Sequence, residues 1–114
     1  MNSIALITDF GHLDTYAGAV KMAIQSQVPS ALVWDVCHEI EPYSILNGGF
    51  HLWSTFFSLP QNTILMAIVD PGVGTAREII LLERDSKIIL CPNNGMISLW
   101  WKQYKNEASC YKNY

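Results

Sequence analysis

The sequence predicts an α/β protein, a mostly parallel sheet flanked by helices. Three observations carry this. Short apolar runs of strand length alternate with longer segments of helical period. The runs are apolar throughout, as strands buried on both faces are. Half of the 114 residues are hydrophobic and only 15% are charged, which suits one small domain with a sizeable core.

Each element has its own warrant. "SIALIT" (3–8) is short, apolar and partly β-branched, a buried strand. "DTYAGAVKMAIQSQV" (14–28) reads as a helix with Asp14 as N-cap and Ala17, Val20, Ile24 and Val28 on one face; Pro29 stops it. "ALVWDV" (31–36) is a second strand. "YSILNGGFHLWSTFF" (43–57) places Leu46, Phe50, Trp53 and Phe57 at helical spacing. Gly48-Gly49 weakens that helix but permits close packing on a sheet. "TILMAIV" (63–69) is a third buried strand. "EIILLE" (78–83) and "KIILC" (87–91) flank Arg84-Asp85-Ser86 as a hairpin, and "GMISLWWKQY" (95–104) forms a final helix. The tail after it shows no clear period.

Composition excludes several classes. Net charge is −3 and no basic run occurs, so there is no nucleic-acid footprint. A mildly acidic chain suits a small cationic or neutral ligand better than a phosphate-rich one. Three widely spaced cysteines, Cys37, Cys91 and Cys110, without a Cys-x-x-Cys, argue against a disulfide scaffold or a structural zinc. No run reaches the ~18 apolar residues of a membrane span. The N-terminus lacks a cationic leader. A reducing cytoplasm is the expected location.

Strand–helix–strand ordering has a chemical consequence. Parallel strands present their carboxyl ends at one edge, and ligands bind in the crevice there. The residues just past the strands are Asp9, Cys37-His38, Asp70 and Asn93-Asn94. Asp9, Asp14, Asp70 and Arg77 can therefore converge despite their separation in sequence. Each has a plainer reading: an aspartate after a strand is often a turn former or cap. "DPGVGT" alone is a good turn, and its Gly-x-Gly is no dinucleotide fingerprint. "DFG" at 9–11 stands without a kinase catalytic loop. His38 reads as a structural loop histidine, His51 as an exposed helical one, and Trp100-Trp101 as packing residues.

Four motifs follow one another at compatible spacings: "LITDFGHLDTYAGAVK", "VWDVCHEIEPYSILNGGF", "VDPGVGTAR" and "CPNNGMISLW". Together they resemble the N-terminal domain of the S-adenosylmethionine hydroxide adenosyltransferases, over residues 4 to about 100. These adenosine-forming hydrolases are related to fluorinating and chlorinating enzymes. The resemblance implies hydrolysis of S-adenosylmethionine to adenosine and methionine, with water attacking C5′ of the ribose. It implies Asp9 and Asp14 near the ribose hydroxyls, Tyr43 as a wall beside the sugar and Thr75 lining the nucleophile pocket. Asp70 and Arg77 become two members of an Asp–Arg–His set that handles the water. In the halogenating relatives a tyrosine replaces that aspartate and the arginine is not kept, so this loop favours water over halide. "CPNNG" differs from the more usual "GPDNG" of the hydrolases and resembles the halogenase form at Asn93. No metal or redox cofactor is implied.

The family's third catalytic residue, a histidine in an "FHGRD"-like motif, and its C-terminal β-barrel have no counterpart in these 114 residues. The expectation is therefore a single α/β domain, residues 1–114, truncated relative to the family. A homotrimer is implied for the full-length relatives, in which the barrel of one subunit closes the site of the next. Two function classes stay open. One is an enzyme domain completed by its missing part. The other is a non-catalytic module that binds a nucleoside or a partner. An unfinished sheet is also expected to leave apolar surface exposed.

Overall fold

The structure, a computed structural model, describes residues 3–11, 13–42, 44–69, 78–107 and 109–112, with residues 107 and 109–112 as backbone only. The elements run β1 (Ser3–Thr8), α1 (Tyr16–Gln27), β2 (Leu32–Cys37), α2 (Ile45–Phe56), β3 (Thr63–Ile68), β4 (Ile79–Arg84), β5 (Lys87–Pro92), α3 (Ser98–Tyr104) and β6 (Ser109–Lys112). A 3₁₀ turn, Lys105–Glu107, joins the last two. The strands form one six-stranded sheet in the order β2-β1-β3-β5-β4-β6. β2, β1, β3 and β5 pair in parallel, while β4 runs antiparallel to both β5 and β6. The mostly parallel α/β class is as expected. β6, in a tail without visible period, is an addition to it.

The register divides the sheet into two faces. Ala5 and Ile7, Leu65 and Ala67, Ile89 and Cys91, and Ile80 and Leu82 all belong to one continuous core. α2 and α3 close that core with Leu52, Phe56, Trp100 and Tyr104, together with Met96 from the turn before α3. Phe56, Trp100 and Tyr104 form an aromatic triangle with ring centroids 5.1–5.5 Å apart. The other face carries Leu6 opposite Asp35 on β2 and Met66 on β3. α1 crosses this face: its Lys21 reaches Asp35 at 2.9 Å.

Four local outcomes differ from the sequence reading. Thr15, not Asp14, is the N-cap of α1, without a side-chain cap bond. The Asp14 carboxylate instead accepts the Thr15 N–H at 2.6 Å. On α2 Leu46, Phe50 and Phe57 of the expected stripe are exposed, Leu46 at 81% and Phe57 at 55%, while Trp53 is half-buried against the core. The buried face is Gly48, Gly49, Leu52 and Phe56. The glycines decide this, because a β-carbon on Gly49 would stand 2.6 Å from the Met96 carbonyl oxygen. α3 starts at Ser98 rather than near Gly95, whose φ of +92° lies outside the helical region. His51, expected to be exposed, is half-buried. The β4–β5 hairpin turns on Asp85 and Ser86 with φ of 54° and 58°, the left-handed pair that two-residue hairpins favour. Trp100 is fully buried, as a packing residue should be, while Trp101 is 38% exposed.

Candidate functional site at the carboxyl edge of the sheet

β1 lies between β2 and β3. The chain leaves β1 for β2 on one side and later returns to β3 on the other. That is the topological switch point at which open α/β sheets bind ligands. Asp9 follows β1 directly and is half-buried. Thr8 pairs with Ile68, so β1 and β3 end at the same level. Asp70 itself lies outside the described residues, as do Tyr43, Thr75 and Arg77.

The end of β3 is held from β5. Asn94 Nδ2 donates to the Val69 carbonyl at 2.8 Å, and Asn94 Oδ1 accepts the Met96 N–H at 3.1 Å. One amide side chain thus ties Val69, just past β3, to the loop after β5. Asn93 contributes its backbone N–H to the Glu78 carbonyl at 2.9 Å.

On the β2 side, one irregularity matters. The pairing Leu6↔Asp35 is followed by Ile7↔Cys37, so Val36 is an extra residue in β2. Residues three apart in a regular strand point to opposite faces. The bulge reverses that alternation and brings Asp35 and His38 to the same face. His38 is 1% exposed. Its Nε2 lies 2.7 Å from Asp35 Oδ1 and its Nδ1 lies 2.7 Å from Thr8 Oγ1. A carboxylate only accepts, so Nε2 carries the proton and donates to Asp35. Nδ1 then accepts the Thr8 hydroxyl, whose oxygen accepts the Phe10 N–H at 3.2 Å. Lys21 Nζ donates to the other oxygen of Asp35 at 2.9 Å. The His38 N–H first, and Lys21 second, hold the Asp35 carboxyl below its ordinary value. His38 is buried and bonded at both ring nitrogens within the protein, in keeping with the loop histidine the sequence suggested. Its partners Thr8 and Asp35, and Lys21 behind Asp35, are not evident from sequence, where the one available signal is the Asp-x-x-His spacing at a strand end.

Above this network lies a cleft of about 190 Å³ lined by Gly11, Asp14, Ala17, Gly18, Lys21, Asp35 and His38. It offers carboxylates and one ammonium to a ligand's hydroxyl, amine or carboxyl groups. Asp14 lines it and is exposed, whereas Asp9, half-buried at the end of β1, is not among its lining residues. Gly11 turns the chain with φ of +72° and donates its N–H to the His38 carbonyl at 2.7 Å. Among the described residues no group of three His, Cys, Asp or Glu is gathered to hold a metal ion, and no helix is long and apolar enough to cross a membrane.

A mostly parallel sheet with polar side chains at its switch point places this chain in the α/β class whose ligands bind at that edge. The chain belongs to the SAM hydroxide adenosyltransferase N-terminal domain family, whose profile matches residues 4–113. It is 32% identical over 102 residues to the (R)-S-adenosyl-L-methionine hydrolase of Thermus thermophilus, a match covering 89% of this chain and 39% of that protein. A fluorinase from Nocardia brasiliensis is 21% identical over 124 residues, with 89% of this chain and 41% of that protein covered. The crystal structure of an uncharacterized conserved protein from Thermotoga maritima superposes with a TM-score of 0.83 at 30% identity, covering 89% of this chain and 39% of that one. The chain thus spans about two fifths of the length of these relatives.

Proposed function

We propose that this chain forms the N-terminal part of an enzyme that hydrolyses S-adenosyl-L-methionine to adenosine and L-methionine. The observation that carries this is family membership combined with a relative named as that hydrolase. The position of Asp9 at the switch point between β1 and β3 supports it.

In this reading Asp9 and Asp14 accept hydrogen bonds from the ribose hydroxyls, and Tyr43 walls the sugar. Water attacks C5′ in line with the C5′–S bond. The new bond is O–C5′, and the electron pair of the broken bond returns to sulfur, converting the sulfonium to the thioether of methionine. The water proton leaves through Asp70, which Arg77 orients, with Thr75 on the same loop. Orientation of this kind supplies much of the rate in such displacements. The residues that complete the site come from a further segment, and the assembled enzyme is a homotrimer.

The test joins this chain to the remaining segment of the Thermus thermophilus hydrolase and follows adenosine and methionine by chromatography. Equal release of both is expected. Asp70→Asn should lower the rate on the order of 10²-fold or more with little change in substrate binding, while Asp9→Ala should weaken binding instead. Added fluoride or chloride should give no halogenated nucleoside. Adenosine binding without any turnover, in a fusion that folds, would assign the chain to a binding module and overturn the enzymatic reading.

A further inference from the structure

We propose that His38 is a positioning residue that aims Asp9 by fixing the turn over residues 8–11. The inference rests on the reading of Asp9 as a ribose ligand. The imidazole is 1% exposed and bonded on both ring nitrogens. A buried histidine that only filled space would need partners, but not partners in this sequence. The polarity runs one way, from the Phe10 N–H to the Thr8 hydroxyl, from that hydroxyl to Nδ1, and from Nε2–H to Asp35. Asp35 in turn is held by Lys21 of α1. The same histidine accepts the Gly11 N–H through its own carbonyl.

Asp9 is therefore flanked by fixed groups. Thr8 is held through its hydroxyl, Phe10 through its amide and Gly11 through its amide, and all three bonds lead to His38 directly or in one step. The Val36 bulge is what makes this possible, since it places Asp35 and His38 on one face of β2. Bulges re-aim side chains in this way beside functional sites.

The experiment compares binding of adenosine and 2′,3′-dideoxyadenosine to the chain by calorimetry. Wild type should prefer adenosine. Thr8→Val, which keeps the shape and removes the hydroxyl, should reduce that preference on the order of tenfold, the effect of one misdirected hydrogen bond to a charged group. Thr8→Ser should restore it. His38→Asn presents its amide oxygen where Nδ1 stands and should retain the preference. His38→Gln supplies a donor to Asp35 but no acceptor to Thr8 and should lose it. A purely structural role predicts that both His38 variants behave alike. Amide hydrogen exchange gives a second readout: Phe10 and Gly11 should exchange faster in Thr8→Val and His38→Gln while Leu65, in the sheet centre, stays protected. Retention of the full preference by Thr8→Val and His38→Gln overturns the positioning role. A wild-type chain that binds both nucleosides equally overturns the ribose role of Asp9, and this inference with it.

Discussion

Alanine at Gly49 puts a single methyl group against the backbone of another element. The new β-carbon would stand 2.6 Å from the Met96 carbonyl oxygen, where ordinary contact begins at 3.4 Å, so α2 must move away by about 0.8 Å. No flexible side chain can yield instead. Met96 is 1% exposed, and its N–H is held by Asn94. Overpacking of this kind costs ~1–3 kcal/mol, and contact with backbone places it at the upper end. Replacing glycine by alanine inside a helix returns ~1 kcal/mol. The net loss is about 2 kcal/mol, or a fall of about 8 °C in Tm for a chain of this size. Gly18→Ala is the control. It lies in α1, where a β-carbon meets nothing within 4 Å. There the propensity gain stands alone, and Tm should rise by about 4 °C. Thermal unfolding followed by tryptophan fluorescence measures both. A Gly49→Ala protein melting at or above wild type would refute the idea that α2 is seated on the Met96 carbonyl.

Two further outcomes concern the site's supports. The folded-state pKa of Asp35 lies below its ordinary 3.8. Its contribution to stability is therefore complete above that value and is lost as pH falls through the lower, folded value. Asp35→Asn should flatten the acid side of a stability-against-pH curve below about pH 4, measured by urea unfolding; an unchanged slope there would contradict the pairing with His38 and Lys21. Asn94→Ala removes both the bond to the Val69 carbonyl and that to the Met96 N–H, and should cost ~1–3 kcal/mol. In the fused enzyme it should also slow turnover, because the Val69 carbonyl at the end of β3 is no longer held by the loop after β5.

The alternation of strands and helices was legible because fully buried strands are unbroken apolar runs. "SIALIT" and "TILMAIV" have few other readings. What sequence could not supply is strand order, and with it the neighbours of each side chain. α2 shows the difficulty. Its largest apolar residues repeat at helical spacing, yet the helix seats itself on two glycines. Close approach to Met96 and Val69 outweighs the area of Phe50 and Leu46 on the opposite face. β6 stayed hidden because its pairing with β4 needs no apolar pattern of its own. At the site, Asp9 could be placed at a strand end because that position follows from topology alone. The Thr8–His38–Asp35 network could not, since the Val36 bulge reverses the alternation that any strand pattern assumes. The positions of Asp70, Arg77, Thr75 and Tyr43 stand on family resemblance.

The central place of β1 sets the order in which this chain can fold. Ser3 pairs with Leu32 on one side and with Thr63 on the other. During synthesis β1 and β2 emerge early, joined through α1, but the strand that must cover the free side of β1 is made sixty residues after it. At ~5–20 residues per second, that interval is about 3–12 s. Throughout it, the nascent chain holds one parallel strand pair with the side of β1 that will receive β3 open, an arrangement too small to be stable alone. Its unpaired N–H and C=O groups are a template for any other extended chain nearby. The arrival of residues 63–68 closes that side of β1 and ends its exposure to such pairing.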